Sequence, residues 1–451
     1  MAEDQLNKDA ATIEESPLLT IFRKEAHETM LNRINLASAF KLTPKELRTE
    51  IENFVFDFAQ ERRAQITKRE QIDIARELVD DMIGLGPLET LLEDESVSEI
   101  AVNGPHQIYV ERKGIMMLTP IKFRDDSHLL QIAQRIAHRV GRRVDTSSPL
   151  CDARLPDGSR VNIVAPPIAL DGAAISIRKF SKKALDLYAL ATFGALTIEM
   201  VETLRIASRC GLNMIVSGGT GSGKTTLLNA LSQLIDARER IVTCEDSAEL
   251  KLQQPHVVRL ESRPPNIEGK GEITIRDLVK NALRMRPDRI VIGEVRGSEC
   301  IDMLQAMNTG HDGSMSTLHA NRAKEAFIRL ENMVAMSGFD LPSEVVRAQI
   351  AGAINMIVQT ARLHDGSRKV TEIVEVTGIS ERGDIQHQHL FKFVPTGESP
   401  DHKVLGRFDA YTERPAFLEK AITYGLEQEL LSIMKSAMEK SGGGDSGNGL
   451  Y

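Results

Sequence analysis

The sequence predicts a multi-domain α/β protein whose larger part carries a phosphate-binding loop. Three observations lead there. The apolar run Met214–Val216 enters a Gly-rich loop that fits G-x-x-x-x-G-K-T from Gly218 to Thr225, and a helical pattern follows. Two later strand-like runs end in acids, "RIVTCEDSAEL" at Glu245 and Asp246 and "DRIVIGEVRG" at Glu294. Strand and helix patterns alternate from residue 183 to about Arg362, the order expected of an α/β sheet.

Composition bounds the reading. A chain of 451 residues suggests two or three domains with real cores. With 41% hydrophobic and 27% charged residues it fits a soluble globular class. The net charge of −8, without a long block of one sign, argues against a nucleic-acid footprint. Cys151, Cys210, Cys244 and Cys300 form no C-x-x-C pair, so they read as buried thiols in a reducing compartment. No run approaches the ~18 apolar residues of a membrane span. The N-terminus has no apolar stretch either. The expectation is a cytoplasmic protein, peripheral to a membrane only through partners.

Residues 1–16 and the Gly/Ser-rich tail 441–451 read as disordered. Residues 17–70 form a helical module. Thr43 with Glu46, and Thr67 with Glu70, have the spacing of capping boxes, and the pattern stops at Gly84, Gly86 and Pro87. Residues 71–182 form an α/β module. "SEIAVNGPHQIYVERKGIMML" holds two β-rich runs around an Asn-Gly-Pro turn, "DSHLLQIAQRIAHRVGR" is an amphipathic helix, and "LPDGSRVNIVAPP" and "AAISIRKF" are strands. Residues 183–440 form the larger domain, with a hairpin turn at Asp365-Gly366.

The chemistry starts at the loop. Its glycines let successive backbone N–H groups turn onto phosphate oxygens, and the following helix adds its dipole. Gly218, Gly219, Thr220, Gly221, Ser222, Gly223, Lys224, Thr225 and Thr226 are the candidate nucleotide-binding residues. Lys224 would reach the β/γ-phosphates, and Thr225 would ligate magnesium. Ligands of such sheets collect at the carboxyl ends of the strands, so Glu245 and Glu294 would both sit near the phosphates.

"GGTGSGKTT", "CEDSAEL", "LRMRPDRIVIGEVRG" and "GHDGSMSTLHAN" together resemble the Walker A, Asp, Walker B and His boxes of the type II/type IV secretion ATPase superfamily. The resemblance covers about 71–370, with the boxes in the family's order. The stretch "RPPNIEGKGEITIRDLVKNALRMRPDRIVIGEVRG" is most similar to the CpaF (TadA) ATPases of Flp/Tad pili. It implies a RecA-like P-loop motor preceded by a PAS-like α/β domain, and a homohexamer that uses ATP and Mg2+. Its motion would drive an inner-membrane pilus platform in assembly, and the family is associated with retraction as well. Glu294 is then implied at magnesium and at the attacking water, directly or through water, with Glu245 as alternative base or co-polariser. His319 is implied at the γ-phosphate, and His311 stays undecided. Zinc between these histidines is disfavoured, because no third ligand has suitable spacing. Arg160 and Arg178, with Arg154 as a further candidate, match the family's arginines that reach the motor's nucleotide; guanidinium suits phosphate because it binds bidentately. The rivals are a type IV secretion traffic ATPase moving DNA or effectors, a RecA-like DNA translocase, and a scaffold that binds ATP without turnover.

Overall fold

The computed structural model describes residues 17–33, 43–112, 114–180, 185–263, 265 and 270–441. The expected tails 1–16 and 442–451 lie outside them. Ser441, assigned above to the tail, is instead buried: its hydroxyl accepts from Ala410 N and donates to Ala437 O, so it ends the last helix. The chain divides into two compact units, 1–181 and 182–451.

Among the described residues, the first unit opens with the helices α1 (Pro17–Arg33), α2 (Pro44–Glu61) and α3 (Lys68–Ile83). Thr43 and Thr67 form complete capping boxes with Glu46 and Glu70. The buried faces meet in one apolar cluster that includes Phe22, Met30, Ile51, Phe58, Ile74 and Leu78. The boundary expected at residue 70 therefore falls inside α3: Ile74, Ala75, Leu78 and Val79 bury that helix in the helical cluster, which runs to Ile83.

α4 (Leu88–Glu93), β1 (Val97–Asn103), β2 (Ile108–Arg112), β3 (Ile115–Leu118), α5 (Asp126–Arg139), β4 (Leu150–Arg154), β5 (Arg160–Val164) and β6 (Ala174–Arg178) follow. The run read as two strands is three, because Gly114 takes φ +81° and turns the chain between β2 and β3. The six strands form an antiparallel sheet in the order β3-β2-β1-β6-β5-β4. Its core is buried with Leu129, Ile132 and Ile136 of α5. Arg135 of α5 donates to Asp81 O and Gly84 O at 2.8 Å each. These are carbonyls at the end of α3 that the helix cannot satisfy itself.

The second unit contains α6 (Leu187–Thr192), α7 (Ile198–Arg209), β7 (Met214–Gly218), α8 (Lys224–Ser232), β8 (Ile241–Glu245), β9 (Val257–Glu261), α9 (Ile275–Ala282), β10 (Arg289–Ile292), α10 (Glu299–Asn308) and β11 (Met315–Leu318). It continues through α11 (Ala323–Ala335), α12 (Ser343–Ala353), β12 (Met356–Arg362), β13 (Arg368–Ile379), β14 (Ile385–Glu398), β15 (Val404–Ala410), α13 (Leu418–Thr423) and α14 (Glu427–Lys440). One sheet runs β15-β14-β13-β12-β7-β11-β10-β8-β9. The strands from β12 to β9 are parallel, and β13 to β15 add an antiparallel extension. The core order β12-β7-β11-β10-β8 is that of a RecA-like motor, with the loop-bearing strand inside the sheet. Both faces are covered, one cluster including α7, α8 and α14 and the other α9 to α12. That explains why β7, β8, β10 and β11 are buried at every position.

Candidate active site

β7 lies between β11 and β12, and its carboxyl end opens into the Gly-rich loop. A Cβ on Gly218 would collide with the carbonyl of Thr360 on β12. Gly221 and Gly223 take φ +71° and +95°, where a side chain is strained. Gly223 is the N-cap of α8 and offers no side-chain cap, so no capping side chain competes with an anion for the first N–H groups of the helix. Lys224 is buried at the start of α8; its Nζ lies 3.0 Å from Gly219 O and 3.3 and 3.4 Å from the two ring nitrogens of His319. Thr225 is half-buried in the same turn, and Thr220 and Thr226 are exposed.

Glu294 reaches this group from the turn after β10. Gly293 N donates to Cys244 O, Val295 N to Thr317 O and Thr317 Oγ1 to Gly293 O, which pins the turn between β8 and β11. Oε1 of Glu294 stands 2.8 Å from His319 Nε2 yet takes no hydrogen bond there, while Oε2 accepts from Arg296 at 2.7 Å. Arg296 also stands 3.6 Å from Asp246, beyond the end of β8. Burial pushes the Glu294 carboxyl up, but Arg296, His319 and Lys224 outweigh it and hold it below the ordinary range. Burial lowers His319, with Lys224 adding to that and Glu294 opposing it, so the imidazole is neutral at pH 7. Arg296 was missed as a site residue, although it stands two positions after Glu294 in the same box.

Glu245 is placed differently. It is 2% exposed, and its Oε1 accepts from Glu249 N and Leu250 N at 2.8 Å each. A Cβ on Gly293 would come 3.0 Å from its Cγ, so a glycine there lets the two strand ends approach. Burial raises its pKa against the two backbone donors.

His311 and His319 lie at opposite ends of β11, a strand roughly 13 Å long. His311 Nδ1 is 3.2 Å from Ala306 O, near the end of α10. The structure thus brings Lys224, Glu294 and His319 together and leaves His311 beyond the opposite end of β11. In the first unit, Arg160 pairs with Arg154 on one side and with Arg178 on the other. Three guanidinium-bearing residues share one row of the β4-β5-β6 sheet, an arrangement that like charges disfavour. Arg154 also donates to Gly158 O and packs over the Phe180 ring.

A hard cation takes oxygen ligands and keeps several waters. The buried Glu294 oxygen, which has no hydrogen-bond donor among the described residues, is of the kind that fits magnesium, and Thr225 is half-buried in the first turn of α8.

A family profile described as type II/IV secretion system protein matches residues 81–408. The chain belongs to this family. It is accordingly a secretion-system ATPase of the P-loop class. A putative conjugal transfer protein of Mycobacterium tuberculosis is 40% identical over 304 residues, covering 66% of this chain and 86% of its own. The type IV secretion system protein VirB11 of Bartonella quintana is 31% identical over 325 residues, covering 64% and 91%. Among solved structures, the VirB11 ATPase of Brucella suis in complex with sulphate is 31% identical, covers 64% of this chain and 91% of its own, and gives a TM-score of 0.35. No helix among the described residues of this secretion ATPase is long and apolar enough to cross a membrane.

Proposed function

We propose that this secretion ATPase is a homohexameric motor whose ATP hydrolysis drives assembly of a Flp/Tad-type pilus through an inner-membrane platform. The observation that carries the hydrolytic part is the convergence of Lys224, Glu294 and His319 at the carboxyl ends of three parallel strands. Lys224 and the N–H groups of the loop bind the β/γ-phosphates. Glu294, ionised and turned to the same point, orients the attacking water and accepts its proton. His319, neutral, hydrogen-bonds the transferring group and follows its loss. Magnesium, held through Thr225 and by Glu294 directly or through water, would supply charge neutralisation between the phosphates. Phosphoryl transfer of this kind needs positioning and charge more than covalent chemistry. Arg160 and Arg178 belong to this reading as phosphate-gripping residues.

The pilus assignment is supported by the resemblance of the segment 263–297 to the CpaF branch. A second reading, a type IV secretion traffic ATPase, is favoured by the conjugal transfer and VirB11 relatives. The two share a motor and differ in the membrane partner. Glu294→Gln should keep ATP affinity and lose turnover, whereas Lys224→Ala should lose affinity; equal loss of affinity in both variants sinks the division of roles. Purification from membranes should then recover a pilus-platform protein. Recovery of a secretion-channel component in its place selects the second reading.

A further inference from the structure

The hairpin of β12 and β13 lies against the outer side of the phosphate loop. Thr360 on β12 pairs with Gly218 on β7, and Arg362 pairs with Arg368 across the hairpin. Thr360 is 4% exposed; its Oγ1 lies 3.0 Å from Ser222 O and 3.2 Å from Lys369 O. Arg368 donates from Nε to Gly221 O at 2.9 Å. Its stem follows the loop: a Cβ on Gly223 would come 3.4 Å from Arg368 Cδ, and one on Gly221 would come 3.8 Å from Arg362 Nη1. The hairpin is anchored in turn, since Lys369 Nζ donates to Gly194 O at 2.6 Å and Glu372 accepts from Ala323 N.

Two consecutive loop carbonyls, Gly221 O and Ser222 O, are thus held by side chains of one hairpin. A trans peptide points its C=O and N–H in opposite directions. Holding these two oxygens against the hairpin turns the N–H groups of Ser222 and Gly223 away from it, and Ser222 N makes only a long 3.4 Å bond to Gly219 O that a phosphate can replace. Those are the donors that a phosphate-cradling loop must present. None of the sequence motifs of the site contains Thr360 or Arg368.

We infer that Thr360 and Arg368 are positioning residues that preset the phosphate loop for its nucleotide, acting through its backbone. This rests on the reading of the loop as the ATP site. A donor held on a loop carbonyl raises affinity by keeping the cradle in its binding form, so its loss shows first in nucleotide binding.

The test is equilibrium ATP binding by the full chain, with thermal stability measured in parallel. Arg368→Ala should weaken ATP about 3–10-fold, the lower end reflecting its exposure. Thr360→Val, which keeps shape and removes the donor, should weaken it about 10-fold. Thr360→Ser and Arg368→Lys, which keep a donor, should recover affinity to within about threefold of the parent. Lys224→Ala serves as reference. If it leaves ATP binding intact, the ATP site itself is misplaced. If it abolishes binding while Arg368→Ala and Thr360→Val both stay within about twofold, the loop site stands and the positioning role is overturned. Loss in Thr360→Val that Thr360→Ser does not recover also overturns it, since packing would then be the cause.

Discussion

Two acidic strand ends lie side by side, on the neighbouring strands β8 and β10, and they behave as opposites. At the end of β8, Glu245 is sealed in and has two backbone donors of its own loop on one oxygen. Past the end of β10, Glu294 is about half buried, and one oxygen faces the histidine that touches the loop lysine. Burial wins at Glu245 and raises its pKa; neighbouring cations win at Glu294 and lower it. The same residue type in equivalent topological positions is thus tuned in opposite directions by what the next few residues do. At Glu245 the chain folds back and offers N–H groups; at Glu294 it offers Arg296. A group held ionised beside a lysine suits water activation, whereas one already committed to backbone donors suits holding a loop.

Substitutions can break this contrast. The largest effect is expected at Glu294, where Glu294→Gln should lower ATP turnover by ~10³-fold, measured by phosphate release. Arg160→Ala or Arg178→Ala should lower it by ~10²-fold, with stability changed by ~1 kcal/mol or less. Turnover within about twofold of the parent in assembled protein would leave both as ordinary sheet residues. His319→Ala should lower turnover by ~10-fold or more without loss of fold, checked by circular dichroism. Zinc analysis of protein purified without a metal-affinity tag should find no stoichiometric metal.

Stability sharpens the other side. Glu245→Ala leaves one buried and one part-buried N–H group without that acceptor and should destabilise the fold by about 2–4 kcal/mol in denaturant titration. Glu245→Gln keeps an acceptor and should stay within about 1 kcal/mol. The sign of its pH dependence is fixed. A carboxyl whose folded pKa is raised favours the fold most below its ordinary value of about 4.3 and loses that contribution as pH rises through the folded pKa. The non-titrating Glu245→Gln variant should therefore gain on the parent as pH rises from about 4 through that raised value. A gap that is flat with pH would mean that Glu245 is not strained by burial.

Much of this motor was legible in the sequence because its signals are local. The loop glycines, the capping residues Thr43 and Thr67, and the strand runs before Glu245 and Glu294 each follow from neighbours within a few positions. What stayed hidden depends on groups far apart in the chain. Glu245 and Glu294 read alike because the hydrogen bonds that separate them are made only after folding. His311 and His319 sit in one motif, yet a short buried strand parts them. Thr360 and Arg368 lie well over a hundred positions from the loop they touch, and only the pairing of β12 with β7 brings them there. The row formed by Arg154, Arg160 and Arg178 needed strand register, which spacing does not give. The end of the helical module was misjudged for a related reason: the apolar face of α3 belongs to helices before it.

The contrast between the two acids is tested most directly by measuring ATP affinity and turnover of Glu245→Gln and Glu294→Gln side by side. The account predicts ATP affinity within about threefold of the parent for both, with turnover ~10³-fold lower for Glu294→Gln and less than ~10-fold lower for Glu245→Gln. The reverse order, with Glu245→Gln losing turnover and Glu294→Gln retaining it, would contradict the assignment and give the water to Glu245.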